Sequence, residues 1–69
     1  MSKKFGEHLR DLRKGETDYS QEDMAKMLNI NRSTYTYYEI GKSEPNFTNL
    51  RKIATILGVD YNKMFDYEE

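Results

Sequence analysis

Sixty-nine residues, a third of them charged, with a formal net charge of −1, place the chain near the lower limit at which one hydrophobic core holds a fold unaided. There is no cysteine, which excludes a disulfide framework and a cysteine-based zinc site, and the single His8 has no partner set for a metal. No apolar run has the length of a membrane span or a signal peptide, so the chain reads as one cytoplasmic domain over residues 1–69.

Near-neutrality argues mildly against a nucleic-acid partner, for which a basic footprint is the usual sign. The charge is unevenly spread, however. Residues 1–14 carry Lys3, Lys4, Arg10, Arg13 and Lys14 against Glu7 and Asp11, and residues 45–57 carry Arg51 and Lys52 with no acid. The acidic excess sits in residues 15–29 and in the tail, where Asp60, Asp66, Glu68 and Glu69 oppose Lys63.

Apolar residues recur at three- and four-residue spacing throughout and no β-type alternation is present, which predicts an all-α fold. Phe5, Leu9 and Leu12 stripe a first helix over roughly residues 3–14, ended by Gly15 and the polar run to Asp18. Ser20 opens a second helix over 21–28, with Asp23 as the capping-box acid and Tyr19 and Met24 at the spacing of a hydrophobic staple. Met24, Ala25 and Leu28 face inward. Asn29 follows, the non-glycine residue best able to take the left-handed turn that ends a helix. Asn31 is expected to cap a third helix over 32–40, closed by Gly41. After the loop "GKSEP", Asn46 caps a fourth over 47–57 whose inward residues are Phe47, Leu50, Ile53, Ala54 and Leu57. Gly58 ends it. Asp60 starts a short fifth helix over 61–65, after which the acidic tail to Glu69 is expected to fray.

The third helix, "RSTYTYYEI", has two chemically different sides. With Arg32 at zero and about 100° per residue, Tyr35 and Tyr38 fall at about 300° and 240°, the core side. Thr36, Ser33 and Tyr37 fall at about 40°, 100° and 140°, opposite them, with Arg32 at the edge. A merely solvated face would favour Glu and Lys, which form helices better than Ser or Thr. Short hydroxyls with one cation instead suit the reading of base edges in a DNA major groove, where acidic side chains would meet phosphate repulsion. Arg32, Ser33, Thr36 and Tyr37 are therefore the candidates for base contact. Arg32 could pair bidentately with guanine, and Thr36 or Ser33 could touch a thymine methyl or donate a hydrogen bond; Tyr37 could instead reach a phosphate.

Small Ala25 permits a close, steep crossing of the second and third helices. Taken with "LR" at 12–13, "SQEDMAKML" at 20–28, "NRSTYTYYEIGKSEP" at 31–45 and "LRKIATILGVDYNKMF" at 50–65, the chain resembles the phage-repressor/Cro-like helix-turn-helix family of transcriptional regulators over nearly its whole length. The resemblance implies a compact five-helix repressor-like domain in which helices two and three form the helix-turn-helix. It also implies phosphate contacts from Gln21, from Asn31 beyond its capping role, and from Lys42 and Ser43 in the following loop. Arg13 and Glu39 match the positions of a partly buried ion pair. Tyr61, Met64, Phe65 and Tyr67 serve core closure, and any exposed remainder would form a dimer patch addressing two half-sites.

The function expected is a sequence-specific double-stranded DNA-binding regulator, a small repressor that is a homodimer at least on a two-fold symmetric operator. No cofactor, metal or membrane is involved. No nucleophile–base pair can be proposed, so no enzyme is expected. The alternatives are a protein-interaction module on the same fold and the DNA-binding antitoxin of a toxin–antitoxin pair.

Overall fold

The structure, a computed structural model, describes residues 3–68, and among these there are five helices and no strand. They are α1 (Lys3–Glu16), α2 (Gln21–Leu28), α3 (Arg32–Ile40), α4 (Phe47–Leu57) and α5 (Tyr61–Met64). The core gathers the periodic residues of every helix: Phe5, Leu9 and Leu12 from α1, Met24, Ala25 and Leu28 from α2, and Tyr35 and Tyr38 from α3. Leu50, Ile53, Ala54 and Leu57 from α4 and Met64 from α5 complete it.

Local chemistry sets the helix ends. Ser20 accepts from the Asp23 amide while Asp23 accepts from the Ser20 amide, a complete capping box. Asn46 and Asp60 cap α4 and α5 by accepting from the amides of Asn49 and Lys63. Asn29 adopts the left-handed conformation (φ 58°, ψ 46°), with its amide donating to Lys26 O and that of Ile30 to Ala25 O. Those paired bonds turn the chain sharply from α2 into α3.

Five expectations are corrected. Helix α1 runs through Gly15 to Glu16 because Thr17 ends it: the Thr17 hydroxyl and amide both donate to Arg13 O. Asn31 precedes α3 in extended conformation but makes no side-chain capping bond. Tyr19, the outer half of the expected staple, is exposed, and its carbonyl accepts from Arg13 Nη1. Phe47 is not inward but 70% exposed. At the first position of α4 it lies about 70° from the centre of that helix's buried face, with no further turn beyond it to pack on. Lastly, the tail does not simply fray. Tyr67 packs on the core beside Phe5 and His8, with ring centroids 5.9 and 5.4 Å away; Glu69 lies outside the described residues.

The segment 63–67 is thereby held against α1. Phe65 stacks on Phe5 at 5.8 Å, the His8 ring donates from Nε2 to Lys63 O (2.8 Å), and Lys63 pairs with Glu16.

Candidate nucleic-acid interface

The turn at Asn29 throws α3 across α2, and a polar network behind α3 fixes its rotation. Arg13 grips Glu39 with two bonds, Nε to Oε2 (2.7 Å) and Nη2 to Oε1 (3.1 Å). The Tyr35 hydroxyl, one helical turn earlier, donates to Glu39 Oε2 at 2.6 Å. Gln21, the first residue of α2, donates from Nε2 to Glu39 Oε1 (3.0 Å) and accepts from the Thr36 hydroxyl through Oε1 (2.8 Å). Three helices thus meet on one carboxylate, and no buried side-chain nitrogen or oxygen among the described residues lacks a partner.

Electrostatics follow from this arrangement. Burial by itself would push the Glu39 carboxyl up, but hydrogen bonds from Arg13, Tyr35 and Gln21 outweigh it and hold Glu39 below the usual glutamate range. The Tyr35 phenol is pushed far up, first by burial and then by its bond to the carboxylate, so it remains a donor. The guanidinium of Arg13 is raised, chiefly by its hydrogen bond to Glu39.

Two glycines allow α1 to close over the end of α3. A Cβ on Gly6 would overlap the carbonyl oxygens of Tyr38 and Glu39, and one on Gly41, at φ 79°, would run into the Lys3 backbone. On the α4 side, Asn49 Nδ2 donates to the Tyr38 hydroxyl (3.2 Å), and the Tyr35 and Tyr38 rings meet edge-on at 6.1 Å.

With its inner side tied in this way, α3 turns Arg32, Ser33 and Tyr37 to solvent and leaves Thr36 half-buried. Arg32 and Ser33 make no side-chain hydrogen bond or ion pair with the described residues. Lys42, in the loop after α3, lies 5.1 Å over the Tyr37 ring, so these two share one surface. Asn31 is exposed at the helix start and Ser43 is half-buried beyond its end. The Gln21 amide is held internally at both ends; a carboxamide nitrogen carries two hydrogens, and one bond to Glu39 leaves the second. Of the proposed dimer residues, Met64 is fully buried and belongs to the core, Tyr67 is half-buried, and Tyr61 and Phe65 are exposed.

Sequence reasoning missed the close-approach role of Gly6, for which a glycine inside a helix is the only signal, and the phenol of Tyr35. The four-residue step from Tyr35 to Glu39 could have revealed the second. Nothing in the sequence links Gln21 to Thr36, fifteen residues apart.

A helix pair crossing at a left-handed turn, with the second helix braced from behind and displaying a cation and hydroxyls, defines a helix-turn-helix. The model of the helix-turn-helix family matches residues 9–63, and the chain belongs to that family, in its Cro/C1-type branch. It is a DNA-binding transcriptional regulator. Among its relatives, the control protein C.MunI of a Mycoplasma species is 39% identical over 62 residues, covering 90% of this chain and 84% of that protein. The prophage-derived HTH-type transcriptional regulator YonR of Bacillus subtilis is 49% identical over 55 residues, 80% of this chain; the match spans only 50% of YonR. The restriction-modification controller protein C.AhdI from Aeromonas hydrophila superposes with a TM-score of 0.78 at 33% identity, over 88% of this chain and 91% of that one. No helix among the described residues is long and apolar enough to cross a membrane.

Proposed function

We propose that the chain represses transcription by occupying an operator, with α3 lying in the major groove and Arg32, Ser33, Thr36 and Tyr37 meeting base edges. The observation that carries this reading is the outward face of α3: the Arg32 guanidinium and the Ser33 hydroxyl, without side-chain partners among the described residues, and exposed Tyr37, on a rod whose inner side is locked. The second amide hydrogen of Gln21, the unengaged carboxamide of Asn31, Lys42 and Ser43 serve flanking phosphates. The N-termini of α2 and α4 add their positive ends on either side. Exposed Tyr61 and Phe65 form the centre of a self-complementary patch that pairs two copies on half-sites about one helical turn apart. The protein acts in the cytoplasm as one domain over residues 1–69, as a binder and not an enzyme, without cofactor.

Titration of duplex DNA against two variants tests this. Arg32→Ala loses discrimination between cognate and unrelated sequences, whereas Lys42→Ala weakens binding to all sequences alike and flattens the salt dependence by about one unit of slope. Unchanged binding in both would overturn the residue assignments. Salt-independent binding to a protein, with no affinity for DNA at low salt, would select the interaction-module reading that near-neutral charge favours.

A further inference from the structure

The buried carboxylate of Glu39 sets, through Gln21, the direction of the hydrogen bond that the Thr36 hydroxyl makes. Glu39 stands opposite the Arg13 guanidinium and, as a carboxylate, can only accept. The end of Gln21 that faces it must therefore be the amide nitrogen, which leaves the amide oxygen facing α3. That oxygen is itself an acceptor only, so the Thr36 hydroxyl 2.8 Å away has to be the donor. A hydroxyl has a single hydrogen, and here it points into the protein.

Guanine O6 and N7 and thymine O4 all require a donor, and Thr36 has none left. What its half-buried side chain retains is a methyl group, beside the acceptor lone pairs of an oxygen already engaged with Gln21, which can serve only adenine N6–H or cytosine N4–H and not a thymine. Arg32, four residues earlier on the same side of α3, is exposed and supplies the donors that Thr36 lacks. Resting on the reading of α3 as the groove-reading helix, we propose that Thr36 recognises a thymine by apolar contact with its 5-methyl group, and that Gln21 is the positioning residue enforcing this choice.

The experiment compares the wild type, Thr36→Val and Thr36→Ser on a site selected from random duplex DNA and on copies in which each thymine in turn is replaced by deoxyuridine, which lacks the methyl. Circular dichroism melts establish that each variant is folded at the assay temperature. The wild type should lose roughly fourfold in affinity at one thymine, the effect of one methyl group leaving an apolar contact. Thr36→Val should retain that loss, because it keeps a methyl there, and Thr36→Ser should bind thymine and uracil equally. Equal wild-type affinity for every thymine and uracil pair overturns the inference, as does a thymine preference that survives in Thr36→Ser or vanishes in Thr36→Val. A wild type that selects no sequence at all removes the groove-reading function itself, an outcome distinct from each of these.

Discussion

Glu39 is where the charge balance of the interior is decided, because it accepts from α1, α2 and its own helix at once. A pair of this kind adds little net stability, yet removing one partner leaves the other charge buried and uncompensated, at about 3–5 kcal/mol. Glu39→Ala should therefore lower the melting temperature by well over ten degrees, at about 4–8 °C per kcal/mol for a domain this small. Glu22→Ala, an exposed acid in the first turn of α2, should shift it by only a few degrees. Equal melting temperatures would contradict the role given to the network. The same site sets an acid limit. Because the folded Glu39 carboxyl lies below its ordinary value of 4.5, its contribution is complete above that range and drains away as pH falls through it toward the folded value. A pH series of melts should show Glu39→Gln losing part of the acid-side decline seen in the wild type. At this scale the sequence was readable wherever position on a helix decides burial: Tyr35 and Tyr38 went in, and Arg32, Ser33 and Tyr37 out. It was not readable where residues distant in the chain meet, as Gln21 does with Thr36, since helical angle says nothing about a neighbour's side chain.

At the scale of elements, the turn between α2 and α3 and the cap before α2 determine how α3 is presented. The complete capping box at Ser20 predicts that Ser20→Ala destabilises the protein by about 1 kcal/mol, visible as a lower denaturant midpoint with an unchanged slope. A midpoint equal to wild type would mean that α2 is held by packing alone. Boundaries of α2, α3 and α4 were legible because Ser20, Asn29, Gly41, Asn46 and Gly58 each mark a backbone requirement. The end of α1 was misread because glycine loosens a helix without obliging it to stop, while the Thr17 hydroxyl, which does close it, looks from the sequence like any polar loop residue. Phe47 was misread for a related reason: periodicity assigns a face, but at a helix's first position there is no neighbouring element for that face to meet.

For the molecule as a whole, a formal charge of −1 means that any hold on DNA depends on where the bases sit. Arg32 and Lys42 stand on or beside the outward face of α3, and the carboxylate of that helix is turned inward and neutralised by Arg13. Overall charge was thus a poor guide, which is why composition alone pointed mildly away from the family to which the chain belongs. The most direct measurement of the central claim is chemical protection of guanine N7, an atom that lies in the major groove, on a selected duplex at low ionic strength. The wild type should shield one or more guanines within a short site, and Arg32→Ala should expose at least one of them while Lys42→Ala leaves the pattern intact at saturating protein. An unprotected groove, or a pattern that Arg32→Ala leaves unchanged, would contradict the account.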